Sequence, residues 1–468
     1  MSFTSPTFIL FFVIVFIAYW ISSRKNLQNS ILLLASYVFY GWINPFYCLL
    51  LFGTTLADYF LMRGIEQSPV KKKRYLVASI LLNVGILAFF KYVNFFIPAI
   101  ITLLTRSGMA PDAQLIRILL PAGLSFYTLK KISFMIDTYR GTAKPVNSFI
   151  NFALYVSFFP QLISGPIDRN QSLMPQIETS RIWKGENLYR AWPLIVMGFF
   201  KKIVIADTVR IMVDKIFMLT LPSKELLLVG TLGFMLEILA DFSAYTDLSR
   251  GFAFLLGFET SENFRSPYLA TSPTDFWNRW HITLSTWLRD YIFYPLRRAF
   301  LRKRTRSSEK LAGIVPPIVT MVASGIWHGT GLTYLLWGVY HGVLLVIYQF
   351  AEKRKRGNLP NKAGKFFAWF LMFCLIAFSW LIFRAPSISW LGQALFKSPW
   401  VGNFAQGAIS LAYGSLILFF ALLLSSKLLI DRFSKRWQFL ETAYLVLATA
   451  LVIVFVQPAT PDFIYVQF

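Results

Sequence analysis

The sequence predicts an all-α, polytopic membrane protein whose residues 1–468 form a single membrane-embedded domain. Three observations carry that prediction. Hydrophobic residues make up 56% of the chain and aromatic residues 18%. Charged residues make up only 15%, where a soluble domain would carry about 25%. Apolar runs recur from one end to the other, with no polar stretch long enough for a separate soluble domain and no internal repeat or low-complexity segment.

Charge is the next constraint. Lys+Arg of 46 against Asp+Glu of 22 gives a net charge of +24. In a soluble protein that balance would point to nucleic acid. Here the basic residues gather between apolar runs, at Arg24-Lys25, Lys71–Arg74, Arg297–Lys310, Lys353–Arg356 and Lys427–Arg436. That is the positive-inside pattern, with membrane lipids and their anionic headgroups as counter-charge, so nucleic acid is not an expected partner. Cys48 and Cys374 lie far apart in apolar runs and say nothing about redox compartment. Residues 7–22 lack a basic stretch before them and a small-residue cleavage site after them, and read as a retained first span.

Taken in order, residues 8–22 make a short span ending at Arg24-Lys25. Ile31–Met62 is too long for one span and breaks at Gly41–Pro45, because proline disfavours a helical residue before it. Both ends of that pair are basic, which puts both inside and the N-terminus outside. Tyr75–Phe96 is the next span, followed by an outside segment to about Arg117. Ile118–Ile136 carries Pro121, Gly123 and Lys130-Lys131, so it is expected to be re-entrant or interior to the bundle, as is Phe149–Ile167 with its Pro160 and Pro166. Trp192–Ala206 carries Lys201-Lys202, and Leu226–Phe258 is interrupted by Asp241, Asp247 and Arg250. Gly313–Gly325 and Tyr334–Phe350 flank His328 as spans or half-spans. Phe366–Phe383, Ser410–Leu424 and Ala443–Val456 complete ten to twelve expected crossings, with an almost charge-free loop at 386–408. The two arms beside His328, at about 13 to 18 residues, fall short of a full span of about 20. That puts His328 within the membrane thickness, at the bottom of a pocket.

The chain has three histidines, His281, His328 and His341. Ionisable groups at bilayer depth are costly, and their default reading is functional. His328 sits in Ser324-Gly325-Ile326-Trp327-His328-Gly329, before a glycine-rich turn that would leave its imidazole uncovered. An imidazole titrates near neutrality and can take a proton from a hydroxyl. His281 closes Phe276-Trp277-Asn278-Arg279-Trp280-His281, with Ser285 one helical turn on. That block also reads as an interfacial helix with an aromatic belt; the histidine within it favours a supporting catalytic role. His341 lies on an apolar helix and reads as structural. Arg279, Arg289 and Asp290 could bind a carrier's phosphate, but pairing with each other is the simpler expectation. No metal is expected, since the chain has no His-Glu-x-x-His and no cysteine pair. No Gly-x-Ser-x-Gly elbow, phosphate-binding loop or dinucleotide fingerprint is present either.

The block from Asp275 through Trp280-His281 to Ser285, continued by Trp287-Leu288-Arg289-Asp290-Tyr291, resembles the signature of the membrane-bound O-acyltransferases. Ser324–Gly329 is similar to the segment carrying that family's near-invariant histidine. Further blocks resemble the bacterial branch that serves O-acetylation of alginate, peptidoglycan and cellulose. These are Leu120-Pro121 with Ser125-Phe126, Ile136–Gly141, Phe159-Pro160-Gln161 with Ser164–Ile167, Gly198–Lys202 with Ile205–Asp207, Asp241–Ser243 with Tyr245–Asp247, and the terminal Phe463–Phe468.

The resemblance implies a helix bundle with a central funnel or tunnel and re-entrant or broken helices, in the bacterial cytoplasmic (inner) membrane. It implies no bound cofactor. The acyl donor would be acetyl-CoA or an acyl carrier thioester on the cytoplasmic side, and the acceptor a cell-surface or exported polysaccharide. A periplasmic esterase-like acetyltransferase of the SGNH kind would be the partner. His328 would be the base and His281 its assistant, with Asn278, Arg279, Trp280, Ser285 and Trp327 as tunnel-lining candidates. Lys130-Lys131 and Ala244 depart from the branch pattern, and Asn278 also occurs in D-alanyl transferases of teichoic acid, so D-alanyl transfer stays open beside acetyl transfer. A transporter or scaffold without chemistry is the other alternative.

Overall fold

The computed structural model describes residues 1–42, 44–107, 118–354, 362–434, 438–457 and 463. Residues 108–117 of the predicted outside segment after Tyr75–Phe96, part of the 353–356 and 427–436 basic clusters, and the terminal motif past Phe463 lie outside the described residues. Among the described residues every regular element is helical. Within lipid that is the expected outcome, since only intra-segment hydrogen bonds can satisfy the backbone there. Among the described residues, seven helices are long and apolar enough to cross a bilayer, and Pro6–Trp20 and Phe439–Phe455 are apolar but shorter. The chain is a multi-pass membrane protein. It forms two compact units, Met1–Ala191 with Ser249–Ser261, and Trp192–Leu248 with Glu262–Val466.

The first unit begins with α1 (Pro6–Trp20), capped by Ser5, whose hydroxyl accepts from the Phe8 amide. α2 (Lys25–Gly41) and α3 (Pro45–Gln67) separate at the expected break, where Asn44 caps α3 with Pro45 in its first turn. After α4 (Lys72–Arg106) comes α5 (Leu124–Arg140), buried along nearly its whole length. A left-handed Gly123 opens it, at a point where any Cβ would press on the Leu162 carbonyl. Its two lysines are matched by buried partners. Lys131 lies 3.2 Å from Asp58, which accepts from Ser79 at 2.5 Å and Asn83 at 2.8 Å. Lys130 donates to Gln161 at 3.1 Å, and Gln161 donates to Asp168 at 2.5 Å. The expectation of an interior element is met, and partnered charge is the physical reason it survives there. α6 (Phe149–Ser157), α7 (Phe159–Leu162) and α8 (Asn170–Glu178) are the short, proline-broken pieces that follow.

α9 (Gly185–Phe199) passes into a π-helical stretch, Phe200–Ala206, and then α10 (Asp207–Phe217). α11 (Lys224–Leu255) is one continuous helix of 32 residues, so Asp241, Asp247 and Arg250 do not interrupt it. The two aspartates are instead matched by lysines of the π-helical stretch. Lys202, 0% exposed, lies 2.8 Å from both Asp241 and Asp207, and Lys201 lies 2.6 Å from Asp247.

Next come α12 (Pro273–Trp277), α13 (Ile282–Leu288), a π-helical turn over Arg289–Phe293, and α14 (Tyr294–Leu301). α15 (Arg306–His328) and α16 (Leu332–Arg354) form a hairpin with 23 residues in each arm. That corrects the shorter arms expected above. The apolar run undercounts α15 because Thr305 and Ser308 form a capping box and start the helix in polar sequence. α17 (Lys362–Arg384), α18 (Ile388–Phe396), α19 (Phe404–Ser434) and α20 (Gln438–Phe455) complete the chain. α18 occupies the loop expected to be irregular, and α17 and α19 expose Phe367, Phe370, Leu418 and Leu422 as lipid-facing helices do.

Candidate active site

All three histidines belong to the second unit, and aromatic rings join them. His281 sits between α12 and α13 with a left-handed backbone, φ 40° and ψ 55°. That conformation is uncommon for a residue with a Cβ and is held by its surroundings. The Ile282 amide donates to the Asn263 carbonyl at 3.0 Å. Thr283 donates to the Asn263 side-chain oxygen through both its amide, at 3.1 Å, and its hydroxyl, at 2.7 Å. The Ser285 hydroxyl donates to the Trp280 carbonyl at 2.9 Å, closing the same turn. The imidazole is 1% exposed, with its centroid 4.7 Å from that of Phe242 on α11 and 6.3 Å from that of Trp327.

His328 is the last residue of α15 and is 4% exposed. Its ring lies 4.9 Å from Trp327, 5.2 Å from Trp337 and 5.3 Å from Phe383, edge to face in each case. Small residues hold the two arms of the hairpin close. A Cβ on Gly338 would meet the Met321 carbonyl at 2.5 Å, and one on Gly342 the Ile318 Cα at 2.8 Å. The Gly-x-x-x-Gly spacing of 338 and 342 is the pattern that lets membrane helices approach this far. Trp337 is thereby pinned against His328. On its other side Trp337 touches His341 at 4.8 Å, and His341 in turn touches Trp277 at 5.0 Å.

Trp277 is also part of the wall of a cavity of about 170 Å³. Asn278, Ser285, Arg289, Thr320, Leu345 and Gln349 contribute to the same wall. One wall residue, Gln349, lies near the C-terminus of α16, the end of the hairpin that carries the basic residues. Thus Asn278 and Ser285 line open space. His281, His328, Trp280, Trp327 and Arg279 are not among the residues lining this cavity. Trp280 is packed between Phe276, Phe264 and Trp380. Arg289 pairs with Asp290 at 3.4 Å, as expected from sequence, whereas Arg279 pairs with Asp275 at 2.7 Å, a carboxylate outside the expected group.

The structure therefore unites His281 and His328 around one indole, Trp327, and connects His328 through Trp337 and His341 to the cavity. Sequence reasoning gave no site role to Phe242, Trp337 and Phe383, because that role arises from tertiary stacking. It also set His341 apart, although the Trp-x-x-x-His of 337 and 341 places both rings on one helix face.

Comparison with known proteins gives the arrangement a setting. The profile of the membrane-bound O-acyltransferase family matches residues 146–384. The probable alginate O-acetylase of Pseudomonas aeruginosa is 35% identical over 403 residues, 85% of this chain and 75% of that protein. The peptidoglycan O-acetyltransferase of Helicobacter pylori is 31% identical over 423 residues, 82% of this chain and 77% of that protein. The teichoic acid D-alanyltransferase of Bacillus subtilis is 29% identical over 273 residues, 56% of this chain and 68% of that protein. The His281 block, the His328 segment and the cavity wall between them all fall inside the matched span, and the chain belongs to the membrane-bound O-acyltransferase family and is an acyltransferase.

Proposed function

We propose that this protein moves an acetyl group from a cytoplasmic thioester, acetyl-CoA or an acyl carrier, to the exported side of a bacterial cytoplasmic membrane for O-acetylation of a cell-surface or exported polysaccharide. His328 is the general base. Its imidazole takes the proton of a hydroxyl, whose oxygen bonds to the thioester carbonyl carbon. The carbon–sulfur bond then breaks, and the leaving thiolate takes the proton from the imidazolium. The hydroxyl belongs either to the polymer or to an esterase-like partner that completes the transfer outside. His281, which also contacts Trp327, orients the reacting groups. Asn278 and Ser285 line the cavity, and Trp327 stands in contact with both imidazoles.

The observation that carries this reading is the convergence of two buried imidazoles on one indole, 4.9 and 6.3 Å away. Buried imidazoles inside a membrane protein are a costly arrangement that packing alone does not call for. The polymer O-acetylating relatives support the acetyl group and the type of acceptor. General-base assistance contributes about 10² to 10⁴ in rate, and fixed geometry in a water-poor site supplies much of the remainder.

The test is His328→Ala, expressed and inserted at the normal level. Alkali-labile acetate on the exported polymer should fall to background. Wild-type acetate in this variant would overturn the reading in favour of transport or scaffolding without chemistry. An ester-linked amine in place of acetate on the wild-type acceptor would reassign the donor group to D-alanine.

A further inference from the structure

Resting on that reading, we infer that His341 is a third functional histidine, which with the indole N–H groups of Trp277 and Trp337 binds the carbonyl oxygen of the entering thioester. His341 is 1% exposed, and neither of its ring nitrogens hydrogen-bonds to any described residue. The same holds for Trp277 Nε1 and Trp337 Nε1. The three rings are in mutual contact. His341 lies 5.0 Å from Trp277 and 4.8 Å from Trp337, and the two indoles are 5.8 Å apart. Below them, Phe276 stacks on His341 at 6.0 Å with the planes 9° apart.

Leaving such buried groups unsatisfied is costly. A phenylalanine at 341 would complete the same aromatic stack without that cost. A cluster of polar ring nitrogens in an otherwise apolar nest is explained by a partner that arrives and leaves, and the cluster's position identifies it. On one side Trp277 lines the cavity whose wall also holds Arg289 and Gln349. On the other, Trp337 touches His328 at 5.2 Å. The cavity, about 170 Å³ and walled by Leu288, Met321 and Leu345, suits a thin flexible arm better than a sugar polymer.

A thioester carried on such an arm meets donor N–H groups just before it reaches the base. As the acceptor oxygen bonds to the carbonyl carbon, negative charge develops on the carbonyl oxygen, and donors already in place stabilise it. When the carbon–sulfur bond breaks, the oxygen's electron pair re-forms the carbonyl double bond and the negative charge leaves with the thiolate, which is protonated from His328.

The experiment compares His341→Phe, which keeps the stacked ring and removes the nitrogens, with His341→Gln, which loses the ring and keeps a donor. Both are scored by the initial rate at which radiolabelled acetate enters alkali-labile ester on the exported polymer, per molecule of inserted protein. Melting temperature in detergent is recorded beside it. His341→Phe should melt at or above the wild-type temperature yet lose about 10² to 10³ in rate, the size of one removed oxyanion donor. His341→Gln should melt lower and recover at least tenfold of that rate. The reverse order, with His341→Phe as active as wild type or more active than His341→Gln, would reduce His341 to a packing ring. His328→Ala in the same assay separates the two ideas. If it is inactive while His341→Phe is fully active, only the present inference falls; if it stays active, the acyl-transfer reading falls first.

Discussion

His281 pairs an unfavourable backbone with a costly side chain, and Asn263 is prominent among the residues that hold it. A left-handed residue with a Cβ costs about 1–3 kcal/mol and persists only where neighbours fix it. Asn263 does so by accepting the Ile282 amide on its carbonyl and both Thr283 donors on its side-chain oxygen. Removing that oxygen in Asn263→Ala leaves the buried Thr283 amide without it, a loss of about 1–3 kcal/mol. The expected readout is a lower melting temperature in detergent with reduced transfer. Thr283→Val, which removes only the hydroxyl bond, should sit between Asn263→Ala and wild type. Equal melting of all three proteins would show that the turn is held by something other than Asn263. Nothing in the sequence marks Asn263, because its importance comes from meeting residues 19 and 20 positions later through a loop rather than along a helix.

At the level of helices, the α15–α16 hairpin sets the distance between His328 and its neighbours. Gly338 abuts the Met321 backbone, so a methyl group there must push the arms apart and carry Trp337 away from His328. Gly338→Ala is therefore expected to lower both melting temperature and transfer. Gly313→Ala, on the same hairpin with nothing within 4 Å of the added carbon, should be neutral or slightly stabilising, by up to about 1 kcal/mol from helix propensity. Matching losses from the two substitutions would mean that close approach is not what Gly338 supplies. Much at this scale was legible in the sequence. Pro45 ended one helix and began another, and the charges of Lys130-Lys131 and Lys201-Lys202 marked interior positions. Two things were not legible. A polar first turn with its own capping box hid the full length of α15, and Asp241 and Asp247 looked like interruptions because their lysine partners lie some 40 residues away. Local pattern cannot reveal pairing across such a distance. The Trp-His blocks were legible because histidine is so rare in this chain that each one stood out.

For the whole molecule, the direction of acyl transfer depends on which ends of the helices face the cytoplasm. α15 starts and α16 ends beside basic sequence, so the turn after His328 is expected on the opposite side of the bilayer. α17 runs from Lys362 to Arg384, away from the basic side, and α19 returns toward Lys427. The segment between α18 and α19 is therefore expected outside, on the side where an exported polymer would be met. Single cysteines test this, in a background where Cys48 and Cys374 are replaced by serine. Ser307→Cys reports the basic end of α15, and Asn403→Cys reports the segment before α19; both positions are exposed. A membrane-impermeant maleimide applied to intact cells with a permeabilised outer layer should label Asn403→Cys and leave Ser307→Cys unlabelled until the inner membrane is opened. The opposite pattern would invert the hairpin and put the cavity beside Arg289 on the exported side. It could not then receive a cytoplasmic thioester, and the proposed route from donor to His328 would have to run the other way.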